Sequence, residues 1–170
     1  LASMIMNPNR KYDDQNGLRN NPNYDVGKPT AGARRIQKLM LLFQMTYVGA
    51  PMIYYGDEGG MWGADDPDDR KPMIWEDLMY ENERSHPVPG KTRTDDEVRF
   101  DKSLYDYYKM LVRVRKENIA LRRGDFTTIF LDDAKNMYAF KRTSGENEAI
   151  VVLNNSDGAQ TVYVTIAGSW

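Results

Sequence analysis

No cysteine occurs in this chain, which excludes disulfides and zinc–thiolate sites but assigns no compartment. No apolar run approaches the length that spans a bilayer. No block of Lys and Arg interleaves with aromatics, so the footprint of a phosphate backbone is absent and nucleic acid is not a partner. The densest basic stretch, Arg113 to Lys116 continued by Arg122-Arg123, is broken by Val114 and Glu117 and reads as a solvated helix face. The single histidine, His86, stands in Ser-His-Pro-Val-Pro with no partner in the local sequence, as an exposed loop residue does. Formal net charge is -2. With 41% apolar and 28% charged residues the composition suits a folded chain with a modest core. A chain of 170 residues holds one domain or a little more.

What is present is organised in two halves. Residues 7 to 29 are rich in Asn, Asp, Gly and Pro and form a loop, with a tight turn at Asn16-Gly17. The spacing predicts a helix from Thr30 to about Tyr47, with Ile36, Leu39, Met40, Phe43 and Tyr47 on its apolar stripe. Pro51-Met52-Ile53-Tyr54-Tyr55 is a short apolar run without alternation, the pattern of a parallel strand buried on both faces. Residues 56 to 100 read as one long loop carrying four prolines. A second helix is predicted from near Ser103, with Asp106 completing an imperfect capping box. Its stripe is Leu104, Tyr107, Tyr108, Leu111 and Val112.

After Arg123-Gly124 the period changes from helical to alternating. Phe126 to Leu131, Met137 to Arg142, Ala149 to Asn154 and Thr161 to Ile166 read as four strands of an antiparallel meander, or half a β-sandwich. The domain boundary therefore falls near residue 122: residues 1–122 on one side and an antiparallel β domain over 123–170 on the other.

The stretch from 49 to 75, GAPMIYYGDEGGMWGADDPDDRKPMIW, combines a buried-strand pattern with an acidic and aromatic loop leaving its carboxyl end. In barrel enzymes that is where the active site is built. This stretch resembles the end of the catalytic (β/α)8 barrel in the α-amylase family of glycoside hydrolases, of neopullulanase and cyclomaltodextrinase type. The likeness rests on GAPMIYYGDEGG, then DPDDR at 66 to 70 and KPMIW at 71 to 75. LASMIMNPNR at 1 to 10 is similar to the segment after the family's seventh-strand His-Asp motif. LYDYYKMLVRVRKENIALRRGDF at 104 to 126 resembles the last barrel helix and its exit into the β domain.

The resemblance implies a fold class: the terminal strand-helix portion of a TIM barrel followed by an antiparallel β-sheet domain. It implies a retaining hydrolase of α-glucosidic bonds, in which two carboxyl groups flank the scissile bond. The family carries its three catalytic carboxylates on the fourth, fifth and seventh strands, ahead of the segment matched here, and no His-Asp pair precedes Leu1. This chain is therefore expected to hold no catalytic residue and to be an inactive piece of a larger enzyme. Asp57 and Glu58, adjacent on an extended segment, would point in opposite directions and could not act as a pair. They read as residues that hold the barrel mouth.

For substrate contact the resemblance points to Asp66 and Arg70, which pair with each other and face sugar hydroxyls in the family. A carboxylate accepts from vicinal hydroxyls and a guanidinium fork fixes that carboxylate. The alternative for the two is an ordinary surface ion pair. Trp62 joins them as a residue whose indole stacks on a pyranose face, and Trp75 has the same chemistry, against the alternative of packing anchors. The aspartates at 65, 66, 68 and 69 fail the spacing of a calcium loop, and neither a metal nor a cofactor is implied. The expected ligand is an α-glucan oligosaccharide bound by the intact enzyme. A strand with unpaired edges and large apolar side chains in water favours association, so residues 30 to 60 are expected to mediate a homo-oligomer. A non-catalytic amylase-like assembly protein is the competing reading. An independent sugar-binding module is disfavoured, because the meander lacks a platform of exposed Trp and Tyr.

Overall fold

Two residues with short polar side chains start the two long helices. Thr30 caps the first: its Oγ1 accepts from the Ala33 N–H at 3.1 Å, and its carbonyl accepts from Arg34 at 3.0 Å. The second is capped by Asp101, whose carboxylate accepts from the Leu104 N–H at 2.9 Å. The capping box read at Ser103 and Asp106 is thus displaced by two residues. Asp106 instead pairs with Lys102 at 2.6 Å along the helix surface. The computed structural model describes residues 2–8, 18, 21 and 23–164. Among these the element order is α1 (Ala2–Met6), α2 (Ala31–Thr46), β1 (Glu83–Ser85), β2 (Thr92–Asp96), α3 (Lys102–Glu117), α4 (Ile119–Arg123), β3 (Asp125–Asp132), β4 (Met137–Ser144) and β5 (Asn147–Asn154). The turn expected at Asn16-Gly17 lies outside the described residues. No helix among them is long and apolar enough to cross a membrane.

The chain separates into two compact units. The first comprises the described residues up to Lys38 together with Met52–Tyr108; the second comprises Leu39–Pro51 together with the described residues from Lys109 onward. In the first unit, Leu18, Tyr24, Val26 and Ala64 form a small apolar core with Val88 against it. Asn7 ties α1 to the following loop, donating to the Ser3 and Asp25 carbonyls and accepting from the Asp25 N–H.

The long loop read over 56 to 100 contains an antiparallel pair, β1 with β2. Its strands, Glu-Arg-Ser and Thr-Arg-Thr-Asp-Asp, have no apolar alternation and are held by charge instead. Arg93, with only 5% of its side chain exposed, donates to Glu83 at 2.6 Å and to Asp96 at 2.8 Å. Glu83 also accepts from Lys71, and Asp96 from the Lys28 backbone N–H at 3.2 Å. Burial alone would raise the Asp96 carboxyl, but hydrogen bonds from Arg93, the Lys28 N–H and Thr94 outweigh it and leave the group below its ordinary value.

In the second unit β3, β4 and β5 form one sheet in sequence order, with Phe126 opposite Arg142 and Phe140 opposite Val151. The core gathers Leu121, Phe140, Val151 and Leu153, with Leu39, Leu42, Val114 and Phe126 packed on it. Phe43 and Tyr47 stack with ring centroids 4.6 Å apart, and both meet Phe140 edge-on. Arg142 is 1% exposed, and its guanidinium donates to the carbonyls of Thr46, Leu121, Gly124 and Asp125. Arg115 donates to the Met45, Tyr47 and Gly49 carbonyls at the same helix end.

Three readings of the sequence are corrected. The strand expected over Pro51 to Tyr55 is not formed, and Met52, Ile53, Tyr54 and Tyr55 are exposed. A parallel strand needs a crossover-linked neighbour, and among the described residues none pairs with it. On α2 the buried positions are Ala33, Gln37, Leu41 and Met45, while Ile36 and Met40 of the expected stripe are exposed; on α3, Val112 is exposed. The fourth strand is absent over the described part of its range, 161 to 164, although burial still alternates there.

Gly124 sits where α4 meets β3, and a Cβ there would fall 2.5 Å from the Ala120 oxygen and 2.6 Å from that of Thr143. Gly124→Ala should destabilise the sheet unit by about 1–3 kcal/mol, since the obstacles are backbone atoms; urea unfolding measures it. A depressed carboxyl stabilises the fold above its unfolded pKa, and the gain is lost as pH falls through the folded value. Because Asp96 lies below its ordinary value, the charged hairpin should lose stability as pH falls below about 4. Asp96→Asn should be less stable at neutral pH and flatter against acid, as followed by thermal unfolding between pH 7 and pH 3.

Candidate functional site

The acidic and aromatic loop begins with a tight structure rather than an extended one. Residues 55 to 60 form consecutive turns, in which Gly60 donates to the Asp57 carbonyl at 3.2 Å and Met61 to that of Gly56 at 2.9 Å. Gly56 and Gly60 adopt φ of 84° and 79°, a region that costs other residues strain. Arg34 and Gln37 on α2 hold this loop. Arg34 donates to the Gly60 carbonyl and to Gln37 Oε1 at 2.7 Å; Gln37 Nε2 donates to the Asp57 carbonyl at 3.3 Å and to the Tyr108 hydroxyl at 3.4 Å. The Asp101 N–H adds a bond to the Gly59 carbonyl at 2.9 Å, tying the start of α3 to the same turn.

Burial, reinforced by the nearby carboxylates of Asp57 and Glu58, pushes the Tyr108 hydroxyl up to about 12, so it stays protonated as a hydrogen-bonding group. Burial likewise lowers Arg34, against the pull of Asp101 and Asp57. Asp57 and Glu58 lie in the turns, so the extended geometry expected for them does not apply. Asp57 takes part in holding the turn through its backbone oxygen. Glu58 Oε2 is shielded from water and has no hydrogen-bond partner among the described residues.

Asp66 and Arg70 are brought together, Oδ1 to Nε at 2.6 Å, on a turn closed by Asp68 N–H to the Asp65 carbonyl and Arg70 N–H to the Pro67 carbonyl. Both side chains are well over half exposed, at 59% and 65%. The pair therefore offers carboxylate and guanidinium edges to solvent in a fixed relation. Trp62 differs from them: it is 7% exposed, with the Lys28 and Lys71 ammonium groups each 5.9 Å from its ring. Its indole Nε1 is buried without a partner among the described residues.

Trp75 is exposed, its backbone N–H donating to the Tyr80 hydroxyl at 2.6 Å. His86 is half-buried, and its Nδ1 accepts from the Val88 N–H at 3.0 Å in a local turn. Among the described residues no three His, Asp or Glu side chains converge as metal ligands would. What sequence reasoning missed is the support: Arg34, Gln37 and Arg93 carry no motif. Only the spacing of Arg34 and Gln37 along one helix face marks them as partners.

Comparison with known proteins follows this geometry. Residues 25–124 match a family described as alpha amylase, catalytic domain. Neopullulanase 2 from Thermoactinomyces vulgaris is 42% identical over 132 residues, which cover 78% of this chain and 19% of that protein. A cyclomaltodextrinase from Thermoanaerobacter pseudethanolicus is 39% identical over 75% of this chain and 18% of its own length. A solved cyclomaltodextrinase superposes with a TM-score of 0.64 at 31% identity, over 85% of this chain and 22% of that one. An alpha-amylase from Geobacillus thermoleovorans, complexed with acarbose, gives 0.59 at 28% identity, over 83% and 28%. The chain thus spans about a fifth of the length of these sequence relatives. With over half its residues in the family match, and a neopullulanase and cyclomaltodextrinases among its relatives, the chain belongs to the alpha-amylase family.

Proposed function

We propose that this chain is part of a retaining α-glucan hydrolase of neopullulanase or cyclomaltodextrinase type, supplying a portion of the substrate rim without the catalytic carboxylates. In this reading residues 1–122 are the closing portion of the (β/α)8 barrel and residues 123–170 the start of an antiparallel C-terminal domain. The observation that supports it is the Asp66–Arg70 pair, held at 2.6 Å yet exposed, on the loop that this reading assigns to the barrel mouth. A carboxylate oriented by a guanidinium is a preorganised acceptor for vicinal sugar hydroxyls. Trp62, four residues before Asp66, is buried with the Lys28 and Lys71 ammonium groups each 5.9 Å from its ring, which anchors the segment leading to this pair.

Retaining hydrolysis needs a nucleophile and an acid–base carboxyl across one glycosidic bond. In this reading both belong to a part of the enzyme ahead of the matched segment. Purified 1–170 should therefore release no reducing sugar from maltodextrin, cyclodextrin or pullulan, and measurable turnover by the isolated chain would overturn this reading. In the intact enzyme, Asp66→Ala should lower kcat/KM on maltodextrin by roughly 10- to 100-fold, the effect of leaving Arg70 and a sugar hydroxyl unpaired.

The same reading gives the isolated chain an association surface. Met52 is 75% exposed, and Ile53, Tyr54 and Tyr55 beside it are exposed as well. Each such side chain left in water costs on the order of 1.5–3 kcal/mol against burial. Light scattering at micromolar concentration should give the mass of a dimer, shifting to monomer in Met52→Lys; a wild-type monomer at that concentration would sink the idea.

A further inference from the structure

The connection from β1 to β2 runs through His86-Pro87-Val88-Pro89-Gly90-Lys91. Proline has no backbone N–H, so across residues 87 to 89 Val88 supplies the only donor. His86 takes it: its Nδ1 accepts from the Val88 N–H at 3.0 Å. The Val88 carbonyl accepts from the Lys91 N–H at 3.2 Å, closing a turn in which Gly90 adopts a φ of 80°. The Val88 side chain packs on the small core of Leu18, Tyr24, Val26 and Ala64. The chain's single histidine thus holds the residue that ties this connection to the core.

An Nδ1 that accepts carries no proton, so the ring is in its neutral Nε2–H form. A proton taken from solvent makes Nδ1 a donor facing the Val88 N–H, and attraction becomes repulsion. We infer that His86 is a pH-operated latch, which when neutral closes the β1–β2 connection onto the core and when protonated releases Val88. The closed form and the protonated ring exclude one another. Closure is therefore complete above the imidazole range and lost as pH falls through it. Two other turns make the same i to i+2 bond with the side-chain oxygens of Asn21 and Asn154. An amide oxygen takes no proton in this range, so those turns do not answer to pH.

The ring is open to solvent, because His86 lines two open grooves of about 410 and 920 Å³. From these grooves the cations Lys71, Arg84, Lys91 and Arg93 face it. The carboxylates of Asp25, Asp68 and Glu83 and the Tyr24 hydroxyl face it too. Glu83 already accepts from Lys71 and Arg93. No carboxylate among the described residues is hydrogen-bonded to the ring, so the Val88 N–H is the contact that protonation changes.

Hydrogen exchange of the Val88 amide in the 1–170 chain, corrected for the intrinsic pH dependence of exchange, tests this. Protection is expected at pH 7.5 and roughly tenfold less at pH 5.5, the size of effect for one hydrogen bond. His86→Asn keeps an acceptor for the i+2 amide and removes the proton site, so its protection should not change between the two. Nitrogen-15 shifts of the wild-type imidazole at pH 7.5 should place its proton on Nε2. A proton on Nδ1 at pH 7.5, or equal Val88 protection at both pH values in the wild type, overturns the inference. So does an equal loss in His86→Asn, which would assign the change to the carboxylates around the ring. The window lies well above the acid loss expected of Asp96, so the two effects separate.

Discussion

The second unit depends on one buried guanidinium. Arg142 lies on β4 with its side chain almost wholly out of water, and no carboxylate is among its hydrogen-bond partners. A buried charge without compensation is expensive, and burial lowers this group below its ordinary value. The compensation is four backbone carbonyls, and their positions explain why it works. Thr46 ends α2, and Leu121 and Gly124 close α4. These are carbonyls that no further helical turn can satisfy, and they carry the negative end of the helix dipole. Arg142 satisfies both helix ends at once and adds the Asp125 carbonyl at the start of β3. Arg115 meets three more carbonyls at the α2 end, and its proximity to Arg142 adds to the burial that lowers it. Two cations on one helix terminus would repel in isolation. Their tolerance here reflects how many acceptors converge between them.

The first unit solves the equivalent problem with smaller pieces. The turns at 55 to 60 that open its acidic loop are held by polar groups, Arg34, Gln37 and the Asp101 N–H. Gln37 is fully buried and makes bonds in both directions, which makes it a junction rather than a liability. Further along, Arg93 performs the same service for the hairpin. In both places a cation from one element satisfies acceptors on another. Asp66 and Arg70 instead pair with each other at the surface.

Legibility followed range. The helices α2 and α3 and the strands β3 to β5 were visible because their apolar periods are local, and the turns at Gly145 and near Asp133 carry their own residue chemistry. The Asp66–Arg70 pair was expected through the family resemblance of the Asp-Pro-Asp-Asp-Arg run, and the two side chains do meet. The β1–β2 hairpin was not, because its strands alternate charge with charge and its stability comes from Arg93 reaching Glu83 and Asp96. Asp101 as a cap was missed in favour of Ser103 because both residue types cap well and only the backbone geometry separates them. Arg142 shares the face of Phe140 in a period of two, so alternation turns it inward, but its charge gives no hint of a partner there. What a period of two does not report is that its guanidinium meets helix ends.

The strand misread over Pro51 to Tyr55 and the stripe misread on α2 share one cause. An apolar pattern records the surroundings for which residues are suited; whether those surroundings exist depends on other segments. On α2 the pattern is two-sided: Ala33, Leu41 and Met45 are buried, Phe43 and Tyr47 reach the ring cluster around Phe140, and Ile36 and Met40 stay in water. A helix with apolar residues on two faces is suited to burial between layers. The run from Met52 to Tyr55 makes the same statement in the period of a doubly covered strand. Both patterns therefore describe the interior of a layered α/β fold more faithfully than the surface on which these side chains stand, which is what membership of a barrel-enzyme family leads one to expect of them.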